Sequence, residues 1–174
     1  MQHVPDYVYL ILAALVYIGI KRCFASVMRP ERLLLFPALM LFNGYDSLPQ
    51  LLPALDHSAI AAALLTMAAG LYIGWQHAAR WALQFSADGK QVRVPGDISL
   101  LVNILVSFAF EFGLHAANAM HAGWLHSNVA TATALSVWGL LVGMPLGRGI
   151  NVLVRRGQAQ ANALSMDPVS TTLR

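Results

Sequence analysis

Charge is what this sequence has least of. Its 174 residues include 11 Lys and Arg and 8 Asp and Glu, so charged side chains make up 11% of the chain, against about a quarter in soluble domains. That is too little to cover a water-facing surface. With 57% apolar side chains and a mean hydropathy of +0.59, the chain reads as a polytopic membrane protein, and a disordered chain is excluded. The single cysteine, Cys23, allows neither an internal disulfide nor a cysteine-based zinc site, which removes the secreted disulfide scaffolds. The formal charge of +3 would suggest nucleic acid in a soluble protein. In so apolar a chain the basic residues are topology signals, and no nucleic-acid partner is expected. Also missing are a phosphate-cradling glycine loop, a nucleophile elbow and an internal repeat, so a catalytic role is unsupported and no cofactor is expected.

What is present is a series of apolar runs long enough to span a bilayer, at about residues 4–20, 33–53, 58–79, 98–120 and 127–147. The first carries its basic pair, Lys21-Arg22, after the apolar run, the reverse of a cleavable signal, so it is read as a retained helix. The second either ends near Tyr45 or continues through Pro49 with Asn43 and Asp46 sheltered from lipid. In the third, Ala62, Thr66, Gly70, Gly74 and Ala78 form one small-residue face, and Gly139, Gly143 and Gly147 do the same in the fifth. Such faces let backbones approach closely. They could pack within the chain, or Gly70, Gly74, Gly139, Gly143 and Gly147 could join a second copy or another membrane protein. Pro145 is expected to kink or loosen the fifth helix.

Between Trp81 and Asp97 the pattern alternates around Asp88-Gly89, a favoured pair for a two-residue turn. A short β-hairpin is expected there, lying against the membrane surface or the helix ends because a lone hairpin is marginal in water. Residues 1–156 make up the bundle and residues 157–174 a flexible polar tail. The expected fold is an all-α integral membrane bundle of five transmembrane helices with a short cytoplasmic β-hairpin between helices 3 and 4.

All eleven basic residues fall on one side of this arrangement: Lys21, Arg22, Arg29 and Arg32, then Arg80, Lys90 and Arg93, then Arg148, Arg155, Arg156 and Arg174. The positive-inside rule then places the N-terminus in the periplasm and the C-terminus in the cytoplasm, for a multi-pass protein of the bacterial inner membrane with the lipid bilayer as its partner.

The run Lys21-Arg22-Cys23, then Arg29-Pro30-Glu31-Arg32-Leu33-Leu34-Leu35-Phe36-Pro37, and the hairpin exit Val92-Arg93-Val94-Pro95-Gly96-Asp97 resemble a family of small proteobacterial inner-membrane proteins of unknown function. The resemblance covers about residues 7–155. A more distant likeness is to CcdC-type membrane proteins, which share a basic first loop followed by a proline-containing helix. Neither implies a reaction or a functional residue.

One constellation could carry chemistry. Asn103, Ser107, Glu111, His115 and Asn118 recur at helical spacing along the fourth span and form a polar stripe, with Glu111 past the middle of the hydrocarbon core. Three readings compete. Glu111 could be buried and hydrogen-bonded for packing. Glu111 and His115 could form a proton or solute relay in a small transporter or proton-coupled permease. His115 with His57, His121 or His126 could hold a metal or haem. Cys23 reads as an inert juxtamembrane thiol, Arg29 and Arg32 as orientation signals, and His77 as an interfacial side chain. The function expected is that of a structural or accessory membrane component.

Overall fold

A computed structural model of the chain describes residues 23–51, 56–86 and 90–166, with residues 13, 16, 17 and 19–21 before them. Most of the expected first span and the Asp88-Gly89 turn lie outside the described residues. Residues 13, 16, 17 and 19–21 are helical, and among the described residues after them four helices follow one another, α1 (Leu35–Leu51), α2 (His57–Ala79), α3 (Ile98–Ala119) and α4 (Asn128–Met166). Three short strands, β1 (Ser26–Met28), β2 (Gln84–Phe85) and β3 (Val92–Val94), occupy the connections. Among the described residues three helical stretches are long and apolar enough to cross a membrane, His57–Ala79, Ile98–Ala119 and Asn128–Asn162. At 17 residues, α1 is a little short for a span. It runs on past Tyr45 through Asp46 and Pro49, as in the longer of the two readings, but Asn43 is exposed and not sheltered.

Local chemistry sets the helix ends. The Asp56 carboxylate accepts the Ala59 N–H at 2.7 Å to start α2, and the Asp97 carboxylate accepts the Ser99 N–H at 2.9 Å to start α3, each satisfying one of the free donors of a first turn. At the far end of α3, His121 sits at φ 52. Its N–H bonds the Asn118 carbonyl and the Ala122 N–H bonds the Ala117 carbonyl, both at 3.0 Å. This is the paired closure of a Schellman motif, with histidine where glycine is usual.

The two small-residue faces meet each other. A methyl group added at Gly70 or Gly74 would run into the α4 backbone at Leu140 or Met144, and one at Gly139, Gly143 or Gly147 into the α2 backbone at Ala63, Met67 or Leu71. Both sets of positions rise together, so α2 and α4 run parallel with backbones in contact. The glycine faces are therefore used inside the chain, and an oligomer built on Gly70, Gly74, Gly139, Gly143 and Gly147 would have to break this seam.

Apolar packing forms three layers along the bundle. Leu48, Leu114, Leu125 and Leu135 fill one end, Met40, Leu141 and Val142 the middle, and Val92, Val94 and Val152 the other end. The last layer explains the strands. β2 and β3 pair antiparallel, as the alternation predicts. β1, from the first loop, adds to the other edge of β3 with Ser26 opposite Val94. Val92 and Val94 then pack on Val152 of α4. A two-stranded ribbon that is marginal alone is thus held by a third strand and a helix face.

The expected flexible tail is corrected in part. α4 does not stop near Gly147 but continues without interruption to Met166; it has packing partners as far as Arg156, and residues 157–162 are exposed. Arg155 donates to the Ala78 and Trp81 carbonyls at 3.3 and 3.0 Å, closing the last turn of α2, and Arg156 pairs with Glu31 in the first loop. The remainder of that tail, 167–174, lies outside the described residues.

Candidate functional site

The polar stripe of α3 divides into an inner half that is used and an outer half that is open. Asn103 and Ser107 are buried, 5% and 6% exposed. Pro145 has no N–H, so the carbonyl four residues before it, that of Leu141, loses its helical donor. Asn103 Nδ2 donates to that carbonyl at 3.2 Å. A polar group from a neighbouring helix thus replaces the bond that a proline removes, which is how such breaks are tolerated away from water. The Ser107 hydroxyl donates to its own helix at the Asn103 carbonyl, 2.7 Å, with Met40 Sδ at 3.8 Å.

Glu111 is half-buried, and its partner comes from α1. Asn43 Nδ2 donates to Glu111 Oε2 at 2.9 Å. His115 and Asn118 are exposed, and no hydrogen bond joins the His115 side chain to Glu111 among the described residues. The pairing of Glu111 with His115 expected from their spacing is replaced by a contact between helices. Of the other histidines, His57 is exposed at the start of α2, His121 ends α3, and His126 closes a 3-10 turn over Gly123–His126. Among the described residues no three His, Cys, Asp or Glu side chains come together as a metal site would require.

A second polar centre, which the sequence reading missed, lies at the opposite end of α3. Arg148 is 3% exposed, and its Nη1 is 3.1 Å from Asp97 Oδ2. Asp97 Oδ1 holds the Ser99 N–H and hydroxyl. His77 Nε2, from the last turn of α2, stands 3.5 Å from Asp97 Oδ2 and packs edge-on to Trp81. One carboxylate therefore caps α3 and ties it to α2 and α4. Among the described residues Arg148 Nε is buried without a hydrogen-bond partner, which is unusual for so costly a group to bury.

Arg148 and Asp97 border a cavity of about 210 Å³. Phe36 and Leu39 of α1, Leu100 and Ile104 of α3 and Trp81 make its walls, with Arg32 also on its lining. Arg148 reads in the sequence as one more topology charge following an uncharged run. The signal that could have marked it is that no helix stop stands between Gly147 and Arg148, so a helix continuing through Arg148 carries that charge into the packing. No family model, curated protein or solved structure matches the chain.

Proposed function

We propose that this chain is an integral protein of the bacterial inner membrane, crossing it five times with its N-terminus in the periplasm and its C-terminus in the cytoplasm, and that it serves as a structural or accessory membrane component. One observation carries the membrane reading. α2 buries its smallest residues, Ala59, Gly70, Gly74 and Ala78, and turns Leu64, Leu65 and Tyr72 outward. Water would penalise that arrangement, whereas lipid favours it, because small residues bring helices together and large apolar ones meet acyl chains. The parallel course of α2 and α4 suits helices separated by one further crossing.

The orientation rests on the basic residues. β1–β3 pairing, the Arg155 bonds to the end of α2 and the Arg156–Glu31 pair draw the first loop, the hairpin and the α4 extension to one end of the bundle, so that basic end faces the cytoplasm. The accessory role is supported by the polar stripe, whose buried members satisfy helix carbonyls and whose Glu111 joins α1 to α3. A transporter or a metal- or haem-binding protein centred on Glu111 and His115 receives no comparable support from the contacts of these residues.

Topology is tested with reporter fusions. A fusion after His121 should report the periplasm, and fusions at Asp88 and Arg174 the cytoplasm; the opposite result at any of them breaks the five-span reading. For function, Glu111→Gln combined with His115→Ala should leave transport and redox phenotypes intact, since glutamine can still accept from Asn43. Solute or proton flux in proteoliposomes that disappears in this variant while the protein stays folded would instead establish a transporter.

A further inference from the structure

We propose that the cavity between α1, α3 and α4 binds an anionic single-chain amphiphile, with the acyl chain against Phe36, Leu39 and Ile104 and the acidic headgroup at Arg32 and Arg148. The walls are almost wholly apolar, which suits a hydrocarbon chain. A volume of about 210 Å³ far exceeds the ~10–15 Å³ a single water needs and falls below the roughly 300 Å³ where whole drug-sized ligands begin, so it fits one chain.

The headgroup assignment comes from the charges. Arg148 and Arg32 border the cavity against one carboxylate, Asp97. Asp97 takes Nη1 of Arg148, and Nε is buried without an acceptor among the described residues. A guanidinium offers five donors and accepts nothing, and Asp97 engages Nη1 alone, so an acidic group beside Asp97 in the cavity complements the remaining charge. Arg32 is exposed and has no ion pair among the described residues, which leaves it available to the same headgroup. The site needs only the packing of these helices over the sheet and holds whichever way the chain is inserted.

Trp81 on the cavity wall supplies the readout. The purified full chain in nonionic detergent is titrated with a terminally brominated undecanoate, whose bromine quenches tryptophan at contact. Saturable quenching is expected, and it should vanish in Trp81→Phe. Arg32→Gln should weaken binding about tenfold, the loss of one charge-assisted hydrogen bond. Asp97→Asn keeps a residue that caps helices well but removes the competing carboxylate, so it should tighten binding. The brominated alcohol of the same chain length should bind about tenfold more weakly than the acid. Nanodiscs containing brominated phosphatidylglycerol or phosphatidylcholine separate the sources. Saturable quenching by the free acid alone supports the single-chain ligand, whereas an excess with the brominated anionic phospholipid that Arg32→Gln removes would assign the cavity to a two-chain lipid and overturn it. Equal binding of acid and alcohol, quenching unchanged in Trp81→Phe, or full competition by inorganic phosphate alone would overturn the proposal.

Discussion

Asn103 and Pro145 are far apart in sequence and coupled through a single carbonyl. Asn103→Leu strands the buried Leu141 oxygen and should lower stability in detergent by about 1–3 kcal/mol. Pro145→Ala added to it restores a backbone N–H to that oxygen, so the double variant should recover most of the loss; a strictly additive thermal-unfolding cycle would show the two residues to be independent. His121 carries strain of another kind. At φ 52 a side chain costs about 1 kcal/mol that glycine does not, so His121→Gly should raise the melting temperature of the folded protein. At Asp56 the Ala59 N–H, and then the Ser58 hydroxyl, hold the carboxyl below its usual range. A depressed folded value stabilises above the unfolded pKa, near 3.9, and that support is lost as pH falls through the folded value. Asp56→Asn, which can still cap α2, should therefore flatten the acid limb of a stability profile measured below about pH 4.

Among the elements, the α2–α4 seam separates glycines that matter from one that does not. Gly74→Val and Gly143→Val push a side chain into the backbone of the other helix and should cost about 3 kcal/mol or more. Gly157 has open space around it and lies within α4, so Gly157→Ala should gain about 0.5–1 kcal/mol from helix propensity. Matching losses at all three positions would show that the seam does not hold the helices together. These elements were legible to different degrees. The helices from residue 35 onward were, because each apolar run is long, and the structure adds the caps Asp56 and Asp97 at two of the boundaries. The hairpin was, from its alternation. β1 was not, since Ser26-Val27-Met28 is too short to show a period and becomes a strand only by pairing with β3. The extension of α4 was hidden too, because its polar composition says nothing of the carbonyls and the acid that Arg155 and Arg156 find in the folded chain. Spacing alone identified the stripe on α3 but not its partners, which depend on where α1 and α4 pass.

For the whole molecule, the basic residues do two things at once. They set the expected orientation, and several of them hold one end of the bundle closed. Arg155→Ala removes one bond to the last turn of α2 and one to the Trp81 carbonyl just past it, and Arg156→Ala removes the partner of Glu31. A backbone hydrogen bond at Glu31 itself, and after it the Arg156 guanidinium, keep that carboxyl below its usual range. Both variants should leave the reporter-fusion topology unchanged, because ten of eleven bases remain, while speeding amide exchange in residues 26–28 and 92–94 in each case. A flipped topology would show that these two charges act on insertion.

The seam between α2 and α4 also has a place in time. About 70 residues of chain separate Gly70 from the Leu140 backbone it touches, and at roughly 5–20 residues per second a ribosome needs about 4–14 s to make them. For that interval the glycine face of α2 has no helix to meet, and α3 is delivered before the partner that fits it. The bundle is therefore completed late in synthesis, and an interruption between the fourth and fifth runs would leave a half-built protein with its closest-fitting surface bare.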